Sequence, residues 1–185
     1  MYLMDIIIMA GGKGRRLGGI NKPFLDICGR KLINVSLSVS TKLMYKGKIY
    51  VCLKNNDLKF VKNMNLTKNV VLVKCPGLGY VKDLNYILKI VNFPVLILPA
   101  DMPFLSKTVV EKFVKKALNS KKDVVTLMVC KKDSCKEVGI SLFKKAKGSW
   151  ENIYFNEIPE VRDIDTFEDW KRAEMMYQIL KMKNN

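Results

Sequence analysis

The sequence predicts an α/β fold in which a mostly parallel sheet carries helices on both faces. Short runs rich in Val, Ile and Leu alternate with longer segments in which apolar residues return every three or four positions. The short runs are apolar at consecutive positions, which is typical of strands buried on both faces. This alternation of strand and helix patterns favours parallel strands joined by crossover helices.

The strand-like runs occur in an order that supports one continuous sheet. Five of them read DIIIMA, KIYVCL, NVVLVKC, FPVLILPA and DVVTLMVC, at residues 5–10, 48–53, 69–75, 93–100 and 123–130. Two later runs, VGISLF and NIYF, indicate further strands that are antiparallel or at an edge.

Helical periodicity fills the segments between these strands. It is found at residues 30–44, 55–64, 81–91 and 106–120, and again in a last helix at 166–183. The chain contains no linker, repeat or low-complexity tract. We therefore expect a single domain over residues 1–185, built as a Rossmann-like three-layer sandwich.

Composition narrows the classes of function. Thirty-three Lys and Arg against 17 Asp and Glu give a net charge of +16, which favours anionic partners such as nucleotides, nucleic acids or phosphorylated metabolites. The absence of His excludes a His-based catalytic triad and the usual Cys/His zinc sites. Five Cys without a CxxC pair predict buried free thiols in a reducing compartment. The apolar N-terminus is short and interrupted by Asp5, so we expect a cytoplasmic protein.

A glycine-rich, cationic loop follows the first strand. The stretch MAGGKGRRLGGINKP, residues 9–23, contains five Gly, four Lys or Arg and no carboxylate. Its glycines let the backbone approach a ligand, and its N–H groups can form an anion-binding nest. The polyphosphate of a nucleotide fits such a loop. The spacing matches neither a Walker A loop nor a dinucleotide fingerprint, because Leu17 stands where the third Gly of the latter belongs.

The loop resembles the signature of sugar-phosphate and cofactor nucleotidyltransferases in MAGGKGRRL, residues 9–17, and in Lys22-Pro23. The resemblance implies that the loop backbone wraps a nucleoside triphosphate and that Arg16 and Lys22 act on the leaving pyrophosphate. The implied nucleotide-binding residues are Met9, Ala10, Gly11, Gly12, Lys13, Gly14, Arg15 and Lys22, and the implied catalytic residues are Arg16, Lys22 and Asp101.

Two aspartates are candidate Mg²⁺ ligands. Asp101 follows an apolar strand in VLILPADMPFL, and Asp165 lies in RDIDTFEDW just before the last helix. Asp165 also fits a helix N-cap with Glu168 completing a capping box. In the resembled family, equivalent aspartates hold Mg²⁺, and Asp163 would then be structural, although the residues alone leave the choice between Asp163 and Asp165 open.

The segment CPGLGYVKDLNYIL, residues 75–88, contains the candidate residues for recognising the nucleotide base. Gly77 and Gly79 leave room for a flat ring, and Asp83 could accept from the N1–H and amine of guanine. The alternative is a helix start with Asp83 in its first turn. The spacing of these residues with Tyr80 resembles archaeal GTP:adenosylcobinamide-phosphate guanylyltransferases, which implies transfer of GMP from GTP to adenosylcobinamide phosphate. The motif PADMP instead resembles molybdenum-cofactor guanylyltransferases.

Several alternatives stay open on the residues alone. The acceptor and base could be those of a molybdopterin guanylyl- or cytidylyltransferase or of a sugar-phosphate nucleotidyltransferase. A basic nucleic-acid-binding domain is disfavoured, because the loop cations surround glycines rather than aromatics. We expect GTP and a phosphorylated small molecule as partners and no membrane, and the sequence gives no oligomeric state. Four aromatic residues could line a pocket for a large planar acceptor, but we expect them in core or edge packing: Trp150, Tyr154, Phe155 and Trp170.

Overall fold

A computed structural model describes residues 3–11, 17–61, 64, 66–132 and 134–183. Within this part of the chain, seven strands form one sheet and two short strands form a separate hairpin. The sheet strands are β1 (Asp5–Met9), β4 (Ile49–Leu53), β5 (Val70–Lys74), β6 (Val95–Pro99), β7 (Val124–Lys131), β8 (Ser134–Phe143) and β9 (Trp150–Asn156), and the hairpin strands are β2 (Asp26–Ile27) and β3 (Arg30–Lys31).

The sheet is mostly parallel, as the sequence predicts. Its order is β5-β4-β1-β6-β8-β7-β9, with parallel pairing from β5 to β6 and between β7 and β9. Strand β8 is antiparallel to both of its neighbours, and β9 lies at an edge. Six strands therefore direct their carboxyl ends to the same edge of the sheet, where ligands bind in open α/β sheets.

Helices cover both faces of the sheet. They are α1 (Leu32–Lys42), α2 (Leu58–Val61), α3 (Tyr80–Ile87), α4 (Lys107–Asn119) and α5 (Phe167–Lys183). The helix expected at 55–64 is shorter, because Asn55–Asp57 form a 3₁₀ turn in which Asp57 N–H donates to the Lys54 carbonyl. None of the described helices is long and apolar enough to cross a bilayer.

Alternate residues of the buried strands pack in two separate hydrophobic cores. Ile8 of β1 belongs to a large apolar cluster that includes Phe113 of α4. Its neighbour Ile7 points to the opposite face and packs in a second cluster with Ile87 of α3. A third, smaller cluster joins the α5 residue Ala173 to the region before α1. The predicted fold, a three-layer α/β sandwich, is confirmed.

The expectation of buried free thiols is wrong. Cys52 and Cys75 form a disulfide, and Cys130 and Cys135 form another. The remaining thiol, Cys28, is exposed. Neither pairing has a local signature, because the first depends on the register between β4 and β5 and the second on the register of the β7–β8 hairpin.

Candidate active site

The carboxyl ends of β1, β4 and β6 lie side by side. Met9, the last residue of β1, is in register with Cys52 of β4 and with Pro99 of β6. Ala10 is fully buried, and its N–H donates to the Cys52 carbonyl at 3.0 Å. The glycine loop therefore begins at the same edge of the sheet as the segments that follow β4 and β6. The predicted residues Gly12, Lys13, Gly14, Arg15 and Arg16 lie outside the described part of the chain.

Three of the predicted residues meet at this edge from distant parts of the chain. Lys22 begins a 3₁₀ turn, Lys22–Phe24, anchored by the buried Pro23. Its Nζ lies 2.5 Å from Asp165 Oδ1 and 3.8 Å from Asp101 Oδ2. The Ile164 N–H donates to the Asp101 carbonyl at 3.1 Å, which ties the segment before α5 to the loop after β6. One ammonium thus lies close to two carboxylates.

The surroundings of Asp101 make its carboxyl easier to protonate than that of an exposed aspartate. Burial raises the pKa of Asp101 to about 6, Lys22 opposes this shift, and Asp163 and Asp165 reinforce it. The Asp163 carboxylate turns toward Lys136, whose Nζ donates to it at 2.8 Å. Of the two neighbouring aspartates, Asp165 is therefore the one that faces Lys22.

The paired carboxylates suit a hard divalent cation. Mg²⁺ commonly binds one or two carboxylates together with phosphate oxygens and water. Asp101 and Asp165 would supply the carboxylates of such a site, and the Lys22 ammonium lies beside both of them. Within the described residues, no group of three or more Cys, Asp or Glu side chains could hold a metal. Two carboxylates would leave the other ligand positions of such an ion to phosphate oxygens and water.

The predicted capping box at Asp165 and Glu168 is wrong by one position. Helix α5 begins at Phe167, so Thr166 precedes it. The Asp169 N–H donates to Thr166 Oγ1 at 3.2 Å, and Asp169 Oδ2 accepts from the N–H of Thr166 at 2.8 Å and of Asp165 at 3.2 Å. The cap is therefore made by Thr166 and Asp169, and the Asp165 side chain is directed to Lys22.

Asp83 is buried beneath the second glycine segment. The residue is 1% exposed, and its Oδ1 accepts from the N–H of Gly77 at 2.8 Å and of Leu78 at 3.3 Å. A Cβ added to Gly11 would lie 3.2 Å from Asp83 Oδ2. The carboxylate is thus turned toward the backbone of both glycine loops, in the first turn of α3. This is the helix-start alternative rather than an open position for a base.

Lys54 is a cation of this edge that the motif analysis missed. It follows β4 directly, and its Cγ would lie 4.0 Å from a Cβ at Gly11 and 3.4 Å from one at Gly77. The φ of Gly77 is +72°, so the turn itself also favours glycine there. The position was readable in principle, because Lys54 is the first residue beyond a predicted strand at the ligand-binding edge.

The chain matches a known protein family and a curated relative. Residues 6–144 match the model of the MobA-like NTP transferase domain. An adenosylcobinamide-phosphate guanylyltransferase from Methanocaldococcus jannaschii is 34% identical over 115 residues, which are 60% of this chain and 58% of the relative. The match thus spans less than two thirds of that relative's length.

Solved structures of low sequence identity share the fold. A 4-diphosphocytidyl-2C-methyl-D-erythritol synthase from Anaerococcus prevotii superposes with a TM-score of 0.78 at 16% identity, covering 96% of both chains. A Mycobacterium tuberculosis protein in complex with manganese gives 0.69 at 12% identity, covering 94% of this chain and 98% of the other. Since the family model matches well over half of the chain, this protein belongs to the MobA-like NTP transferases, a family of nucleotidyltransferases.

Proposed function

We propose that the protein transfers GMP from GTP to a phosphorylated small molecule, with adenosylcobinamide phosphate as the favoured acceptor, and releases pyrophosphate. The observation that carries the transfer reaction is the position of Lys22 beside Asp101 and Asp165 at the edge where the glycine loop begins. The choice of guanine and of the acceptor is supported by the resemblance of residues 77–85 and by the name of the Methanocaldococcus jannaschii relative.

The proposed reaction is an in-line displacement at the α-phosphorus of GTP. An oxygen of the acceptor phosphate forms the new P–O bond, and the bond from the α-phosphorus to the α,β-bridging oxygen breaks. The electron pair of that bond leaves with pyrophosphate. The attacking phosphate oxygen is already ionised near neutral pH, so no protein base is required, in keeping with a chain that contains no His.

The cationic and acidic residues of the site have different roles in the proposed reaction. Lys22 stabilises the negative charge that develops on the departing pyrophosphate, with Arg16 proposed for the same task. Asp101 and Asp165 would hold Mg²⁺, which when bound neutralises phosphate charge during the transfer. The loop residues Gly12, Lys13, Gly14 and Arg15 keep their proposed contacts with the nucleotide.

For the base, we propose an indirect role for Asp83. Its buried carboxylate holds the N–H groups of Gly77 and Leu78 and adjoins Gly11, so it fixes the shape of both glycine segments. The guanine would then be recognised by the segment at Gly77–Gly79 that this carboxylate holds.

A cytidylyl transfer is the second candidate. The Anaerococcus prevotii structure that shares the fold is named as a diphosphocytidyl synthase. Both candidates use the same phosphate chemistry and differ in the base and the acceptor.

Calorimetric titration with GTP, ATP, CTP and UTP, with and without Mg²⁺, tests the base. We expect GTP to bind at least tenfold more tightly than the others when Mg²⁺ is present. A preference for CTP would establish the second candidate. Binding of none of the four, together with salt-sensitive binding of RNA, would overturn the enzyme and favour the nucleic-acid alternative. Pyrophosphate release on addition of adenosylcobinamide phosphate then tests the acceptor.

A further inference from the structure

A cavity lies on one face of the sheet beyond β6. The residues of β7 and β8 that point to one side, among them Leu127 and Ile140, join the large core with α4. Their neighbours Thr126 and Ser141 point to the other side and line a cavity of about 440 Å³. Among the described residues around this cavity, only Tyr80 and Leu84 belong to a helix.

The floor of this cavity carries hydroxyl groups. Thr126 and Ser141 are paired across β7 and β8, and their hydroxyl oxygens lie 3.0 Å apart. The two residues are 7% and 8% exposed, on a stretch of strand that is otherwise apolar. Each hydroxyl has one donor and two acceptor positions, so the pair retains hydrogen-bonding capacity after bonding to itself. The floor can therefore receive polar substituents.

Aromatic side chains form the walls. Trp150 is 58% exposed, and its Nε1 donates to Asn152 Oδ1 at 3.1 Å, which fixes the indole over the sheet. Tyr80 is 49% exposed and lines the cavity together with Phe143. Large exposed aromatics around a concavity favour contacts with flat or apolar rings. Trp150 lies on the edge strand β9, as expected, and it also lines this cavity, which is the alternative that the sequence leaves open.

The cavity begins next to the strand that leads to Asp101. Gly139 lines it, and a Cβ built at Gly139 would lie 3.5 Å from Pro99 Cβ at the end of β6. Asp101 lies two residues beyond Pro99. Tyr80, which also lines the cavity, directly follows the Gly77–Gly79 segment. The cavity thus adjoins both the segment after β6 and the second glycine segment.

The length and charge of the cavity indicate which kind of ligand it suits. From Gly139 to Phe143, both of which line it, β8 extends about 13 Å. The charged residues along it are Glu137 at the end near Asp101 and Lys147 at the other end, so it is not a continuous anion-binding channel. It suits a mostly neutral body whose only phosphate lies at the reaction centre.

We propose that this groove, bounded by Tyr80, Thr126, Ser141 and Trp150, binds the body of the acceptor, a flat multi-ring amphiphile that presents its phosphate to the Asp101 end. The inference rests on the proposed transferase function and specifies the class of acceptor. Tyr80 is placed to contact both substrates, because it joins the second glycine segment to the groove.

Direct binding measurements test the groove without requiring turnover. The probe is adenosylcobinamide without its phosphate, measured by equilibrium dialysis and the visible absorbance of its corrin ring. The variants are Trp150→Ala, Trp150→Phe and a matched control, Tyr154→Ala. Tyr154 is also 58% exposed and lies on the same face of β9 but does not line the groove. Circular dichroism verifies that each variant folds, and calorimetry gives its affinity for GTP with Mg²⁺.

We expect Trp150→Ala to weaken probe binding at least tenfold, with Trp150→Phe retaining most of it and Tyr154→Ala all of it. Affinity for GTP should stay within twofold in all three variants. Equal probe binding by all proteins, or no probe binding by the wild type, would overturn the groove assignment. A failure of the transferase proposal would be seen separately, because the wild-type protein would then bind no nucleotide.

Discussion

Lys22 lies closer to Asp165 than to Asp101. Its charge opposes the rise in the pKa of Asp101 that burial causes. Replacing Lys22 by Ala removes the cation proposed to stabilise pyrophosphate. We expect kcat/KM for GTP to fall by about 10²–10³, the usual cost of deleting one transition-state donor. Steady-state pyrophosphate release measures the effect. Lys115→Ala, an exposed lysine of α4, should retain wild-type rates, and a Lys22→Ala enzyme of near-normal rate would contradict the assignment.

Two substitutions at Asp83 separate positioning of the loop from direct reading of guanine. Asp83→Asn keeps an oxygen for the N–H groups of Gly77 and Leu78, so we expect the preference for GTP to persist. Asp83→Ala leaves buried donors unpaired, at about 1–3 kcal/mol each, and should raise KM for GTP roughly 10–100-fold. Competition among the four nucleotides measures selectivity. A loss of GTP preference in Asp83→Asn would show instead that the carboxylate contacts the base.

For single residues, the sequence predicts where a side chain lies in the fold better than the direction in which it points. Asp101 and Asp165 were identified because each follows or precedes a recognisable element, and the structure brings both to Lys22. The direction of the Asp83 side chain was not predictable, since it depends on the backbone of a glycine segment whose φ values are set by the fold. Lys54 was missed because no motif contains it.

The N-termini of two helices offer a matched pair of tests. Thr166→Ala removes the hydroxyl that accepts from Asp169 N–H at the start of α5 and should cost about 1 kcal/mol. In a chain of this length the melting temperature should fall by about 2–4 °C. The same hydroxyl donates to Asp169 Oδ2 at 2.8 Å, and that oxygen also accepts from the Asp165 N–H. Because the variant loosens Asp169 and with it Asp165, we expect the Mg²⁺ concentration needed for half-maximal rate to rise.

Ser106→Ala is the control for that element. Ser106 caps α4 by accepting from the Val109 N–H at 3.3 Å, a bond in which neither Asp101 nor Asp165 takes part. It should lower the melting temperature by a similar amount and leave the Mg²⁺ dependence unchanged. Equal effects of both variants on Mg²⁺ dependence would disconnect the α5 cap from the site.

The disulfides link neighbouring strands and can be counted chemically. In the absence of reductant, the native protein should react with one equivalent of a thiol reagent, at the exposed Cys28. After denaturation without reductant the number should stay at one, and after reduction it should reach the five cysteines of the sequence. Mass spectrometry of the alkylated protein gives the count. Three or more reactive thiols in the unreduced, denatured chain would contradict the pairing.

Elements were predictable where the pattern is local. All seven sheet strands appear where apolar runs occur, because a strand buried on both faces leaves few polar positions. The start of α5 was misplaced by one residue, since Asp165 and Thr166 both offer a capping oxygen and only the tertiary position of Lys22 decides between them. The disulfides required strand registers that a single sequence does not contain.

The net charge of +16 acts over the whole molecule. A positive surface attracts a nucleoside triphosphate from a distance, and salt weakens this attraction because the Debye length is about 8 Å at physiological ionic strength. We expect kcat/KM for GTP to fall roughly tenfold between low and high salt, with kcat nearly unchanged. Initial rates in KCl at constant free Mg²⁺ measure this. A salt-independent kcat/KM would show that the surface lysines do not assist nucleotide capture.

Asp101 follows the strand at which the pairing of the sheet changes direction. Strand β6 is parallel to β1 and antiparallel to β8. The strands that lead into the glycine segments lie on the β1 side, and the groove proposed for the acceptor lies on the β8 side. The residues that would select the two substrates are therefore separated along the chain, apart from Tyr80 and Leu84 of α3. Mutations after β6 could change the acceptor while the nucleotide is kept, which would let such a scaffold diversify in evolution by altering one half at a time.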